Sequence, residues 1–338
     1  MFRAPFRVPT YFMAPVVLAV LSLLFPTPFV LHNLVVGSIY ALLAISWDLL
    51  LGYTGILSLG HAAMFMLGAY AFVFLTAPFS GYIGGPPFGL NIHPLLGIPL
   101  SGAVAALFGL ALGIITLRLR GAYLALATLG FAEILREILN REDEITRGAL
   151  GLAVKPLIES GPEIFYQVQF FIVLSVLTLT LITVHFMLRS KMGYYLRSIR
   201  DDIEAAEAMG VDTVRWKLVV FAVSSFIAGV AGALYGQYVA SITPVIGMVD
   251  NMGTIIAMTV IGGAGTVTGP LMGSYLVYWT MQYFREFAGL RLIVFGIFIV
   301  LVMRFFPSGM YGFLKTWALR MRRLTRGSPP SARIVASP

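Results

Sequence analysis

The chain has 338 residues, 59% hydrophobic and 11% charged, with a mean hydropathy of +0.89. A water-soluble domain carries roughly 25% charged residues, so this composition excludes a globular body in water and makes lipid the solvent over most of the length. The net charge of +8 arises from basic residues in short loops and a C-terminal stretch, a pattern that orients a chain in a membrane rather than one that binds nucleic acid, and the absence of cysteine removes disulfides, thiolate metal sites and a thiol nucleophile.

Arg3 and Arg7 precede the first apolar run, which extends to Val30 and is interrupted by Pro15, Pro26 and Pro28. It lacks a small-x-small cleavage signature and reads as a retained helix over 11–30. Further spans are expected at 34–51, 56–78, 94–117, 121–139, 168–188, 217–240, 250–264, 267–284 and 290–306. That makes an all-α polytopic membrane protein with about ten transmembrane helices. The apolar runs are continuous rather than alternating, which excludes an outer-membrane barrel.

The connection at 79–93 contains no Lys or Arg, whereas 189–217 contains six and the chain from Arg304 onward contains seven. Positive-inside bias places the first outside and the other two in the cytoplasm, with both termini cytoplasmic. The short 250–264 segment must cross for the basic tail to lie inside. Residues 1–320 thus read as one transmembrane domain with a cytoplasmic loop at about 189–217. Residues 321–338 form a basic tail too polar to bury, and disorder is expected there. Arg320, Arg322, Arg323 and Arg326 are expected against anionic headgroups. On the outer side, 140–167 is a polar segment of mixed charge, large enough to receive a soluble partner.

In the stretch GYTGILSLGHAAMFMLGAY (52–70), Ser58 and His61 are three apart and are expected on one helical face, where either a hydrogen bond within the bundle or solute contact would use them. Tyr53 and Tyr70 are expected as interfacial anchors, and Gly55, Gly60 and Gly68 as points of close helix packing. In LRLRGAYLALATLGFAEI (117–134), Tyr123 and Thr128 are candidates to line a central path, with Arg118 and Arg120 as inner anchors. In IGGAGTVTGP (261–270), Gly262, Gly263 and Gly265 serve either close packing or a translocation path, because irregular backbone at membrane depth survives only where protein or a wet cavity covers it.

No lysine follows a glycine, so the chain has no GxxxxGK[ST] phosphate loop and any ATP hydrolysis belongs to a partner. Ionisable residues in the spans are few. Glu133, Arg136 and Glu137 can compensate one another locally, and Asp48, near the inner end of its helix, suits a capping or headgroup role. His32, His61, His93 and His185 are scattered over separate segments, which argues against an enzyme.

The loop at 193–217, GYYLRSIRDDIEAAEAMGVDTVRWK, carries a helix signature: Asp201 or Asp202 as N-cap, and Gly210 as the stop. The resulting helix over about 202–209 puts Ile203, Ala206 and Met209 near one face, and its slim profile suits insertion into a partner's groove. Glu204, Ala205 and Ala206 followed by Gly210 resemble the EAAxxxG coupling segment of ABC importer permeases, although the apolar-Pro ending common there is missing. Together with the segments at 52–70, 117–134, 226–236 (FIAGVAGALYG) and 261–273, in this order, the chain resembles the LivM-type permease subunit of branched-chain amino-acid ABC importers.

That resemblance implies the importer architecture, residence in the inner membrane, and transport of leucine, isoleucine and valine. It implies a second LivH-type permease subunit, two cytoplasmic ATPase subunits that hold ATP and magnesium, and a periplasmic or lipid-anchored solute-binding protein. It assigns coupling to Asp202, Glu204, Ala205, Ala206, Met209 and Gly210. No cofactor is expected in this chain. Two alternatives stay open: the permease of a urea or short-chain amide importer, and an ion-coupled carrier working alone.

Overall fold

The computed structural model describes residues 10–119, 121–154 and 162–284, together with 296–297, 300, 304, 309–314 and 316. Within them the chain is a bundle of α-helices: α1 (Met13–Leu24), α2 (Pro28–Thr54), α3 (His61–Thr76), α4 (Pro94–Thr116), α5 (Ala122–Arg141), α6 (Pro162–Arg189), α7 (Lys191–Asp201), α8 (Ile203–Ala208), α9 (Thr213–Val239), α10 (Val249–Gly262) and α11 (Thr268–Tyr283). Four helices (α2, α4, α6 and α9) are long and apolar enough to cross a membrane by length and composition, and α1, α3 and α10 are shorter apolar helices. The molecule is an all-α, multi-pass integral membrane protein.

The expected first span divides differently. Pro26 cannot continue a helix, so α1 stops at Leu24; Thr27 then caps α2, whose first residue is Pro28. The helix expected from 56 begins only at His61, because Gly55 ends α2 with φ +71° and 55–60 runs on without helical structure. Between α6 and α9 the structure has two helices where one was expected. The additional α7 is amphipathic, with Gly193, Leu196 and Ile199 buried and Lys191, Tyr194 and Arg197 exposed. The expected 290–306 span lies largely, and the 321–338 tail wholly, outside the described residues, as do Arg3, Arg7 and Arg120.

α2 is apolar on every side and forms the core. Val35, Ile39, Leu42, Trp47, Leu49 and Leu50 are all buried, as expected of a helix that faces neighbours all round. Around it, α9 packs against α3 and α4 through glycines. A Cβ at Gly232 would land on the Phe65 carbonyl oxygen of α3, and one at Gly68 would land on the backbone of Gly229. On α4, Gly102 and Gly109 admit Val230, Phe226 and Ser225 of α9 in the same way. Lipid supplies no hydrophobic drive to hold helices together, so close backbone approach and dispersion must do it. The opposite side of α4 leaves Leu107, Ile114 and Ile115 exposed.

At the end of the bundle away from α7 and α8, the loops are knitted together. β1 (Leu152–Ala153) pairs antiparallel with β2 (Ser241–Ile242), with Leu152 opposite Ile242. Tyr82 donates its hydroxyl to the Ala153 carbonyl at 2.5 Å, and Ala153 N–H donates to Gly84 at 2.6 Å. An open groove of about 560 Å³ lies between 80–87 and Asp143, Glu144 and Arg147.

Replacing Gly232 by Leu is expected to destabilise the bundle by about 1–3 kcal/mol, the ordinary cost of overpacking, whereas Gly130→Ala in α5, where a Cβ meets nothing within 4 Å, should be neutral or stabilising by up to about 1 kcal/mol. Thermal unfolding of detergent-purified protein, followed by size-exclusion chromatography, checks both.

Candidate functional site

The loop between α6 and α9 builds the candidate coupling surface from its own sequence. Asp202 is the cap of α8: one carboxylate oxygen accepts from the N–H groups of Glu204 at 2.9 Å and Ala205 at 3.0 Å. That satisfies two donors which a helix start leaves orphaned. Gly210 follows the helix at φ +82°, a left-handed conformation that costs glycine nothing. Its N–H donates to Glu207 at 2.9 Å, and Val211 N–H donates to Ala206 at 3.0 Å. Glu207 accepts the Thr213 hydroxyl at 2.6 Å, which fastens α8 to the start of α9.

The faces of α8 differ from the expectation. Ala206 is buried at 4% exposure and Met209 stands out at 85%, so Ile203, Ala206 and Met209 do not form one face. With six residues, α8 ends before Met209, and the chain turns there. Ala206 packs against the chain itself, and the outward surface includes Glu204, Ala205, Glu207, Ala208 and Met209.

Three of the candidate path residues, Ser58, His61 and Thr128, are buried. Ser58 lies in the non-helical 55–60 segment rather than on a helical face with His61. Its hydroxyl accepts from Gly60 N–H at 3.3 Å and its carbonyl accepts the Trp47 indole N–H at 2.7 Å. Thr128 is fully buried and holds the same segment, accepting from Leu59 N–H at 2.9 Å and donating to the Ala125 carbonyl. His61, 1% exposed, has no hydrogen-bond partner for Nε2. Tyr123 alone among these is exposed, at 75%.

Tyr53 and Tyr70 are buried rather than standing as interfacial anchors. Tyr70 lies in the interior of α3, six residues before its last residue Thr76, with its ring enclosed by the bundle. Gly60 and Gly68 do allow close packing, whereas Gly55 serves as the left-handed stop of α2. The charged C-terminal end of α5 is locally compensated: Arg136 reaches Glu133 at 2.9 Å and Glu137 at 3.4 Å, and Arg141 reaches Glu137 at 2.6 Å.

The glycine-rich turn between α10 and α11 is covered by protein. Gly262 packs on the backbone of Gly269, and Gly309 lies against Gly263. Gly265, at φ +78°, donates its N–H to Asp48 Oδ1 at 2.8 Å. Asp48 thus caps a backbone group, as one of its two expected roles had it, from a buried position. Alongside, Arg200 of α7 donates Nη1–H to the Gly52 carbonyl at 2.9 Å. Arg200 was legible only as a loop charge, and the signal for its position is the apolar spacing of Gly193, Leu196 and Ile199, which turns α7 onto the bundle.

A family model described as "Branched-chain amino acid transport system / permease component" matches residues 29–306. The high-affinity branched-chain amino acid transport system permease protein LivM of Salmonella typhimurium is 29% identical over 297 residues, covering 80% of this chain and 67% of that protein. The corresponding permease protein BraD of Pseudomonas aeruginosa is 25% identical over 303 residues, covering 83% of this chain and 94% of that protein. LivH of Salmonella typhimurium is likewise 25% identical, over 306 residues, with 83% and 94% covered. No solved structure gives a significant match.

Removing the cap by Asp202→Ala is expected to cost α8 about 1 kcal/mol and to speed amide exchange over 203–208 about five-fold, with Asp202→Asn close to wild type. Hydrogen–deuterium exchange on the purified protein measures it.

Proposed function

The chain belongs to the family of branched-chain amino acid transport permease components, and from that premise we propose that it supplies one half of the translocation pathway of an ABC importer for leucine, isoleucine and valine. The other half is a second, LivH-type permease subunit. Two ATPase subunits in the cytoplasm bind ATP and magnesium, and a solute-binding protein delivers substrate from outside.

The observation that carries this reading is α8. It is a capped, slim helix that presents Glu204, Ala205 and Met209 outward at the basic end of the bundle, while Ala206 and Thr213 tie it to its own chain. An apolar Met209 side chain at 85% exposure, beside a small alanine, suits a groove on a partner better than open water. α8 is the contact through which ATPase closure moves the bundle. Asp202 and Gly210 set its two ends, and Ala206 fixes its seat.

The same reading orients the chain. α7 and α8 lie in the cytoplasm with the basic residues of 189–217, and the knitted loops at the other end face outward. α1, α2, α3, α4, α5, α6, α9, α10 and α11, with 290–306, then make ten crossings with both termini inside the inner membrane. The groove beside Tyr82 and Arg147 and the exposed Ile83 and Leu150 are the surface offered to the binding protein. A branched aliphatic solute needs only an apolar, weakly attractive route, and a tight site in the permease would slow its release.

In the assembled importer, Ala205→Arg is expected to abolish leucine uptake and its coupling to ATP hydrolysis while leaving the amount of protein in the membrane unchanged. Uptake of labelled leucine should be competed by isoleucine and valine and not by urea. Wild-type uptake by the Ala205→Arg importer would refute the coupling role, and competition by urea alone would refute the solute class.

A further inference from the structure

Three elements distant in sequence meet at Arg200, near the end of α7. α2 ends in a left-handed Gly55, with Gly55 N–H donating to Leu51 and Ile56 N–H to Leu50. The carbonyl of Gly52 lies among the last four of the helix, which have no donor of their own. Arg200 Nη1 fills that vacancy at 2.9 Å. A cation at a helix C-terminus is also favoured by the helix dipole.

The second element is the turn at 263–267. Gly265 packs so close to Gly52 that a Cβ on Gly52 would strike the Gly265 backbone and Asp48 Oδ1, and a Cβ on Gly265 would stand 3.2 Å from the Gly52 carbonyl oxygen and 3.5 Å from Arg200 Nη1. Asp48, buried in α2, holds Gly265 N–H at 2.8 Å. The turn is therefore pinned to α2 from one side and roofed by Arg200 from the other.

The third element is the coupling loop. The remaining nitrogens of Arg200, Nε and Nη2, reach Asp201 Oδ1 at 3.2 and 3.1 Å. Asp202, the next residue, caps α8, and its own N–H closes α7 on Ser198 at 3.0 Å. Only two residues separate the guanidinium on Gly52 from the first turn of α8.

We propose that Arg200 is the positioning residue that makes α8, the end of α2 and the turn at 263–267 move as one body, so that displacement of α8 reaches the bundle through the Gly52 carbonyl and Gly265. This rests on the coupling role of α8 proposed above. Arg200 touches no solute and no nucleotide. It acts by holding the buried central helix and the α10–α11 pair to the moving part through a contiguous hydrogen-bonded contact, the kind of network that carries coupling between sites, and as a rigid link it keeps that contact in both states of the transport cycle.

The test uses the complete importer in liposomes: both permease subunits, the ATPases and the binding protein, with labelled leucine. Arg200→Ala should lower leucine uptake at least about five-fold, the low end of ordinary coupling between sites. It should also abolish stimulation of ATP hydrolysis by the loaded binding protein, while the ATPases still co-purify. Arg200→Lys, which can still donate to Gly52 but not fork onto Asp201, should recover part of both. An Arg200→Ala importer that assembles and transports like wild type overturns the inference. If the ATPases fail to bind even the wild-type chain, the reading of α8 falls instead.

Should Arg200→Ala not accumulate, the absence of native cysteine allows a direct measurement on the otherwise unchanged chain. Spin labels at Tyr194→Cys on α7 and Ala264→Cys in the turn, both exposed positions, should keep one separation in the resting and vanadate-trapped complexes. A shift between the states beyond the width of the resting distribution refutes the rigid link.

Discussion

The fold depends on backbone meeting backbone along α9. Where Gly229 and Gly232 face Gly68 and Phe65, no side chain stands between the helices. In water such contacts would be secondary to burial of apolar surface, but in lipid an aliphatic side chain gains little by leaving one apolar medium for another. The interlocked α3, α4 and α9 form one side of the bundle, and α2 is enclosed between α9 and the helices α6, α10 and α11. Trp47, whose large indole is wholly enclosed and donates to Ser58, shows how completely that space is filled.

The irregular segments obey the complementary constraint. Non-helical backbone in such a bundle must find its hydrogen bonds inside the protein. The 55–60 stretch finds them in Trp47 of α2 and Thr128 of α5. The turn at 263–267 finds them in Asp48 and in the Thr266 hydroxyl, which donates to Gly263 and accepts from Gly269. Residues that a reader in search of a solute path would select, Ser58 and Thr128 among them, are thereby engaged in holding the scaffold. Polar groups in a membrane span have two employments: Ser58 and Thr128 serve the structural one, whereas His61 Nε2 is buried without a partner.

Much of the helical framework was legible. The expected 94–117 and 121–139 correspond to α4 and α5, and 250–264 and 267–284 to α10 and α11, because apolar runs bounded by Gly and Pro leave few other solutions. What could not be read lay in the third dimension. Tyr53 and Tyr70 have the composition of boundary residues, and only the packing of the bundle shows them enclosed. The partners of Asp48 and Arg200 are 217 and 148 residues away, beyond any local pattern. α7 was obscured by its charges, although its buried triad repeats every three residues. For α8, the stop at Gly210 was legible and the cap was narrowed to Asp201 or Asp202, of which the structure uses Asp202, while the direction in which Ala206 faces required the neighbouring helices.

Arg200, Asp201 and Asp202 each address a different neighbour: the end of α2, the guanidinium itself, and the first turn of α8. Because they are adjacent, the phase between them is set by the chain and not by side-chain choice. One additional residue inserted between Arg200 and Asp202 would leave the cap with its amides but turn both by about 100° about the axis of α7, so that α8 would set off in a new direction from the guanidinium on Gly52. Evolution can retouch the chemistry of this stretch position by position, but its length is quantised.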